Sequence, residues 1–357
     1  MLKRRLCEAE FEWKLECPGP LLIADGRYRD IIKRPPYKDS WTKPNGFPDA
    51  LFISRSTEAD IIKAETQIKG GSPKLPFYVP GTSLRGPFRA QAERIIRTLR
   101  DADDQAPVTA CDPFEQGANN TFLSCSKRLE KEKGILYKEA CPACKIFGYA
   151  GLASRIIFTD AKIEGLNGPY HSVYRDMIGI DRFTGGVFQG GEQGGGANMR
   201  FHVLENTTFT TTVTLANFEL WHLGLLAYVF RDFHDGLVPI GFGKTKGFGL
   251  VTGELTKITL SYPKANTSRS CIDHLGSLIS DSGEKTRYAL HDCQPPSFDL
   301  PSPDDDPLSL YHRYILTEED AIRGLWSATA PTFNAYIASL TPPVEMPPAA
   351  AIEGEDS

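Results

Sequence analysis

The chain has 357 residues, 41% of them hydrophobic, and a formal net charge of −5. This length allows one large elaborated domain or two ordinary ones. The longest apolar run, residues 223–230, is far shorter than the roughly 20 residues of a membrane span. Acidic residues follow the basic N-terminus at once, which is not the pattern of a signal peptide. We expect a cytoplasmic protein without a membrane segment.

The charge is distributed unevenly along the chain. Residues 1–100 hold 19 Lys and Arg against 12 Asp and Glu, whereas residues 262–357 hold 6 against 15. Such asymmetry is found in proteins that contact nucleic acid, although solvated surface charge is the plain alternative.

The N-terminal part predicts short strands separated by long polar loops. Residues 9–16 alternate polar and apolar side chains, which is typical of a half-buried strand. Residues 25–48 form a long loop, residues 50–54 a short strand, and residues 55–75 a second polar stretch.

A glycine-rich turn, Pro80–Gly86, opens a predicted helix over residues 84–100. Thr82 or Ser83 can cap this helix. Arg85 and Arg89 fall in its first two turns, where cations oppose the helix dipole. They therefore indicate a nearby anion, with solvated surface arginines as the alternative.

Four of the eight cysteines, at positions 111, 125, 141 and 144, have spacings that can close a tetrahedral zinc site. The tight pair Cys141 and Cys144 would form the knuckle. Buried or incidental thiols are the alternative. A catalytic metal is not indicated in this segment, because no His or carboxylate stands at ligand spacing.

The remaining elements alternate strands and helices before a different C-terminal region. Strands are predicted over 154–161, 201–204, 208–215, 250–252 and 255–260, and a helix over 219–233. Residues 165–200 are glycine-laden, with Gly194–Gly196 in a mobile loop or hairpin tip. This order matches an α+β, ferredoxin-like plan. Residues 262–357 are acidic and proline-rich, typical of a linker or loosely ordered tail, with a short helix near 318–325.

Common catalytic motifs are missing from the sequence. Gly243-Lys244-Thr245 ends like a P-loop, but Val238 stands where that motif needs glycine. There is no serine nucleophile elbow. What remains is recognition of a nucleic-acid backbone by cations beside glycine-rich turns, in particular Arg85, Arg89, Lys244 and Lys246. Four aromatics could stack on bases or belong to the core: Phe77, Tyr78, Phe242 and Phe248.

Four motifs, in order, resemble those of the RAMP superfamily of CRISPR proteins. Pro80–Gly86 is similar to the family's PGSSLKG turn, and Cys141–Gly148 with residues 154–161 to its C-x-x-C-x-x-F-G and S-R-x-x-x-x-D-A segments. Residues 180–185 resemble I-D-R-x-T-G, and Gly241–Gly249 resembles the terminal glycine-rich loop. The chain looks like a Csm/Cmr-type backbone subunit of a type III effector complex.

The resemblance implies an RRM-like palm over residues 1–261, followed by the acidic extension 262–357. Insertions would occupy about 25–75, 101–148 (zinc-binding) and 163–205, the last a thumb-like β-hairpin. The implied partners are CRISPR guide RNA, target RNA and other RAMP and effector-complex subunits. The implied RNA contacts are Ser83, Arg85, Arg89, Arg155, Lys244 and Lys246, with Arg182 and Thr184 near the guide–target duplex.

The resemblance also implies Mg²⁺- or Mn²⁺-dependent endonuclease activity on target RNA, using an aspartate in the loop before the PGSSLKG-like turn. Asp49 fits the family context best, and Asp60 and Asp25 are rivals. A carboxylate can hold the ion or position the ribose 2′-hydroxyl. A non-cleaving scaffold of the same complex, or a zinc-stabilised RNA-binding protein outside CRISPR, are the alternatives.

Overall fold

The structure, a computed structural model, describes residues 4–31, 48–67, 75–101, 106–112, 114, 124–129, 136–164, 171–188, 198–264, 271–291, 293–304 and 307–341. Nine strands lie in these ranges: β1 (Glu8–Cys17), β2 (Tyr78–Val79), β3 (Ile156–Phe158), β4 (Ala161–Ile163), β5 (His171–Ile178), β6 (Asn198–Glu205), β7 (Thr207–Ala216), β8 (Thr252–Pro263) and β9 (Tyr311–Leu316). The same ranges hold ten helices: α1 (Gly26–Ile31), α2 (Glu58–Gln67), α3 (Gly81–Thr98), α4 (Cys125–Arg128), α5 (Leu136–Glu139), α6 (Pro142–Phe147), α7 (Leu220–His234), α8 (Leu275–Leu278), α9 (Ser282–Tyr288) and α10 (Glu319–Ser339).

The central strands form an antiparallel sheet with the order of a ferredoxin-like fold. β1 lies between β7 and β8, and β3 and β4 pair with the outer side of β7. Taken as first, second, third and fourth strands, β1, β3–β4, β7 and β8 stand in the order 4-1-3-2. The sequence prediction of an α+β sheet of this type is confirmed at the level of the mixed antiparallel architecture.

The core lies between one face of this sheet and the helices α3 and α7. β1 alternates buried and half-exposed side chains, as its sequence pattern predicts. Trp13 packs edge-on against Phe88 of α3 and against Phe230 and Phe233 of α7. Edge-to-face aromatic contacts of this kind each add about 1 kcal/mol beyond burial. Both helices are therefore fixed to the same strand.

Helix α3 begins three residues earlier than the sequence predicts, and its cap is different. Pro80 is the N-cap residue, and no side chain of the N-cap bonds to the helix. Instead, Asp160 accepts a hydrogen bond from the Gly81 N–H at 3.0 Å. The prediction that Thr82 or Ser83 caps the helix is wrong, because a carboxylate from the β3–β4 connection supplies the acceptor.

The C-terminal region is more ordered than its composition predicts. β9 pairs with β8 at the edge of the main sheet, and β8 itself runs across residue 261, where we expected a boundary. Helix α10 crosses α7 so closely that a Cβ on Gly224 would lie 2.5 Å from the Thr329 carbonyl oxygen. The expected loose tail is wrong for the described part, because β9 pairs with β8 and α10 packs against α7. Residues 342–357 lie outside the described ranges.

β5 and β6 form a separate two-stranded antiparallel ribbon. Its base joins the rest of the molecule through isolated bridges from Leu21 to Leu204 and from Ala50 to Phe201.

Residues 50–54 pair only at single positions and do not form the regular strand that we predicted. Gly194–Gly196 and residues 32–47 of the first loop lie outside the described ranges. No helix in the described ranges is long and apolar enough to span a bilayer.

Candidate functional site

The four predicted zinc ligands converge, and we call them the cysteine centre: Cys111, Cys125, Cys141 and Cys144. All four are buried, and their sulphur atoms lie within 4.8 Å of one another. The Cys111 and Cys144 sulphurs are 3.7 Å apart. Tetrahedral zinc with Zn–S bonds of about 2.3 Å needs sulphurs separated by roughly 3.8 Å. The donor set therefore fits a metal ion such as zinc.

The local fold explains why the tight cysteine pair forms this centre. Cys141 is the N-cap of α6, with Pro142 in the first turn, and its sulphur accepts a hydrogen bond from the Cys144 N–H at 3.4 Å. The Cys141 N–H in turn donates to the Cys125 sulphur at 3.3 Å. Hydrogen bonds from the other thiols lower the pKa of Cys125. Such donors stabilise the thiolate form that binds metal.

Two arginines predicted to bind RNA make hydrogen bonds within the protein, at the cysteine centre and at the end of α6. Arg89 donates to the Gly148 carbonyl oxygen at 3.0 Å and to the Cys144 sulphur at 3.4 Å, and it pairs with Glu93. Arg85 donates to the Phe147 carbonyl oxygen. The Asp160 carboxylate lies at the start of α3, where it accepts from the Gly81 N–H and pairs with Arg55 at 2.7 Å. Ser83, half-buried, donates its N–H to the Pro80 carbonyl oxygen.

Arg155, a third predicted RNA contact, is buried in the core. Its guanidinium donates to the Asn217 carbonyl oxygen and lies 4.1 Å from the centre of the Tyr137 ring. The Tyr137 hydroxyl donates to Glu219 at 2.6 Å, and Lys145 donates to the Tyr336 hydroxyl at 3.0 Å. These buried groups join α5, α6, α7 and α10 into one polar network. Sequence reasoning missed it, because its members are far apart in the chain.

The glycine-rich loop, residues 241–249, is held in a shape that needs its glycines. Gly241, Gly243, Gly247 and Gly249 all have φ between +76° and +80°. A Cβ on Gly249 would lie only 1.8 Å from the Ile240 carbonyl oxygen. Between them, Lys244–Lys246 form one turn of 3₁₀ helix with both lysines exposed. The loop therefore presents two cations on a backbone conformation that glycine adopts without strain.

This loop packs against the base of the ribbon. The Phe242 N–H donates to the Leu22 carbonyl oxygen at 2.8 Å, and the Phe242 ring centre lies 5.3 Å from that of Phe201 in β6. The Lys246 ammonium lies 5.9 Å from the centres of both rings. Phe242 is 45% exposed, whereas Phe77 and Phe248 are buried. Tyr78 is half-buried beneath Arg55.

The three candidate aspartates occupy different surroundings. Asp49 is half-buried beside the ribbon base, where its Oδ2 accepts from the Arg200 N–H at 2.7 Å. Asp25 is buried and held by Arg27, with 2.7 Å between Oδ2 and Nη2. Asp60 is exposed and pairs with Thr57 at the start of α2, and hydrogen bonds from Thr57 lower the pKa of Asp60. Asp49 bonds to Arg200, the residue before Phe201, and the Phe201 ring packs against Phe242 of the glycine-rich loop.

The segment beyond β5 forms a tight loop with exposed side chains. The Asp181 carboxylate accepts from the N–H groups of Phe183 and Thr184, at 2.7 and 3.1 Å. Arg182 and Thr184 are exposed, and Phe183 is fully exposed. The sequence prediction named the arginine and the threonine but not Phe183, an exposed aromatic between charged and glycine residues. It also did not name Phe201, whose ring packs against Phe242.

Comparison with known families places these elements in context. The family model described as RAMPs, the RAMP superfamily, matches residues 14–252, which is more than half of the chain. The match includes the turn at the start of α3, the Cys141–Cys144 knuckle, the loop after β5 and the whole glycine-rich loop. A comparison with curated proteins gives no match. The chain belongs to the RAMP superfamily.

Proposed function

We propose that this chain is a guide-RNA-binding backbone subunit of a type III CRISPR effector complex. Membership of the RAMP superfamily indicates a CRISPR-associated RNA-binding subunit. The observation that carries the proposal is the glycine-rich loop, whose exposed Lys244 and Lys246 stand on a turn that four left-handed glycines shape and that backbone hydrogen bonds hold to Pro20 and Leu22. Cations on such a turn can hold successive phosphates without reading bases.

The proposed RNA contacts are mainly those predicted residues that the structure leaves exposed. Lys244 and Lys246 are exposed on the loop, and Arg182 and Thr184 are exposed beyond β5. Ser83 stays in the proposed set because it lies in the first turn of α3. Arg85, Arg89 and Arg155 donate to carbonyl oxygens of the protein, so we leave them out.

We further propose that target RNA is cut with Mg²⁺ or Mn²⁺, and that Asp49 takes part. Magnesium sites often use one or two carboxylates together with substrate phosphates. Within the described ranges, the only group of three or more potential ligands close enough to share an ion is the cysteine centre. Asp49 would therefore need RNA oxygens to complete a site, in which the ion would stabilise charge on the reacting phosphate. Asp25 is a weaker candidate, because Arg27 pairs with both of its carboxylate oxygens. Asp60, which Thr57 contacts, remains a rival.

The test is cleavage by the assembled complex. Complexes carrying the intact chain, Asp49→Ala, Asp60→Ala or Asp25→Ala would each be incubated with labelled complementary RNA and magnesium. We expect Asp49→Ala to abolish cutting at the sites this subunit serves, while RNA binding persists. An unchanged cutting pattern in all three variants would contradict cleavage by this chain and leave guide binding standing.

A non-catalytic scaffold is the second candidate, and one observation favours it. One carboxylate oxygen of Asp49 already accepts a backbone hydrogen bond from β6, as an anchoring residue would.

A zinc-stabilised RNA-binding protein outside CRISPR is the third candidate function. In that case the chain, expressed with its neighbouring genes, would purify alone and without a bound short RNA. We expect the active protein in the cytoplasm.

A further inference from the structure

Arg89 of α3 contacts the cysteine centre through Cys144. We infer that Arg89 is a positioning residue for the metal, which balances the charge of the four thiolates and holds Cys144 in place. The inference concerns the metal centre and does not depend on RNA binding. A divalent ion with four thiolates carries a formal charge of −2, and burying such a charge is costly unless cations compensate it.

Cations surround this centre on more than one side. The Arg89 Nη2 lies 3.4 Å from the Cys144 sulphur, and the Arg128 Nη2 lies 3.7 Å from the Cys125 sulphur. Lys145, buried next to Cys144 in the chain, donates to Tyr336. Two arginines, from α3 and α4, thus lie against a site that, with a divalent metal, would carry two negative charges. Together with the Glu93 carboxylate that pairs with Arg89, this negative charge compensates the two half-buried guanidinium groups.

The contacts of Arg89 require an arginine. Its Nε pairs with Glu93 at 2.7 Å, its Nη1 donates to the Gly148 carbonyl oxygen at 3.0 Å, and its Nη2 reaches Cys144. Three nitrogens of one planar group therefore meet three different acceptors. A lysine ammonium keeps the charge but cannot reproduce this fixed fork. Partners that orient and charge-balance metal ligands commonly change metal affinity 10- to 100-fold.

Hydrogen bonds from two arginines connect α3 to the end of α6, the helix that carries Cys144. Arg85, one turn earlier, donates to the Phe147 carbonyl oxygen, the last residue of α6. Arg89 bonds to Gly148, the C-cap of the same helix. Loss of the metal or of Arg89 would therefore loosen the contact between α6 and the first turns of α3.

The experiment follows zinc leaving the purified protein into a chromophoric chelator. Variants are Arg89→Met and Arg89→Lys, with Arg94→Met and Arg94→Lys as matched controls on the exposed side of the same helix. We expect zinc release to accelerate about 10- to 100-fold in Arg89→Met and less in Arg89→Lys. The Arg94 variants should release zinc at the wild-type rate. In cobalt-loaded protein, the thiolate-to-cobalt charge-transfer band should shift in the Arg89 variants alone.

Three outcomes would overturn the inference. The first is a wild-type protein that holds no metal. The second is an unchanged zinc-release rate and cobalt band in Arg89→Met. The third is an equal acceleration of zinc release in the Arg94 controls, since that would indicate a general loosening of α3. If Arg89→Met does not fold, the comparison of Arg89→Lys with Arg94→Lys decides. Equal release and identical cobalt bands in that pair would also refute the role.

Discussion

The cysteine centre and the glycine-rich loop both use positively charged side chains, in opposite surroundings. At the cysteine centre, Arg89, Arg128 and Lys145 are turned inward to sulphur, carbonyl or hydroxyl acceptors of the protein. On the glycine-rich loop, Lys244 and Lys246 are exposed on a backbone turn, with aromatic rings beneath Lys246.

The difference shows that burial determines which partners a positively charged side chain binds. A guanidinium in the interior is stabilised mainly by acceptors of the protein, because little water reaches it. An exposed ammonium at the end of a flexible stem stays hydrated until a partner anion replaces the water. We therefore expect changes at the cysteine centre to alter folding and metal content, and changes at the loop to alter binding.

The largest effect should come from removing a ligand of the cysteine centre. We expect wild-type protein to contain about one equivalent of zinc, and Cys141→Ser to lose it together with solubility. The reason is that metal binding to such centres contributes free energy of folding directly. Metal analysis and the soluble yield measure the effect. Cys271→Ser, a half-buried cysteine outside the centre, is the control. Metal-free, well-folded wild-type protein would contradict this prediction.

An intermediate effect is expected on the pH dependence of stability, through the buried His202 at the base of the ribbon. Burial lowers the pKa of His202 from 6.5 to about 4. Since the folded state resists protonation, the stabilisation is complete above pH 6.5 and is lost as the pH falls toward 4. The loss amounts to about 3 kcal/mol at most. His202→Gln should therefore show a flatter decline of unfolding free energy between pH 6.5 and 4.

Chemical denaturation of both proteins across this pH range measures the difference in slope. Burial also lowers the pKa of His222 and His274. These two residues remain in both proteins, so their contribution cancels in the comparison. Identical slopes for the variant and the wild type would show that His202 is not held neutral by burial.

The smallest effect should be at the glycine-rich loop. The double variant Lys244→Ala/Lys246→Ala should weaken binding of single-stranded RNA roughly tenfold at physiological salt and leave folding unchanged. If each lysine neutralises one phosphate, the slope of log affinity against log salt should shrink by about 1.4. Titrations at several salt concentrations measure this. Lys257→Ala, whose ammonium pairs with Glu12 on the sheet, is the matched control. A loss confined to some RNA sequences, or an equal loss in the control, would exclude backbone recognition by the loop.

Much of the fold could be predicted because it depends on local patterns. The alternation of residues 9–16 is the pattern of β1, and five predicted inward residues of α7 are buried: Leu220, Leu223, Leu226, Ala227 and Phe230. The cysteine spacing also predicted a metal centre that the structure supports. The order of the C-terminal region was not predicted. Its overall composition is acidic and proline-rich, and this conceals the apolar faces of β9 and α10.

The sequence alone determined the alternation of strands and helices, the glycines that a left-handed loop requires, and the number of thiols available for a metal. Backbone preference and side-chain periodicity are properties of neighbouring residues, so they can be read without the fold. Only the tertiary structure decided which cations face inward. Arg89 meets Cys144 and Arg155 meets Tyr137 and Asn217 because folding brings distant segments together. Whether a charge is then exposed or buried depends on the packing around it, which no local pattern records.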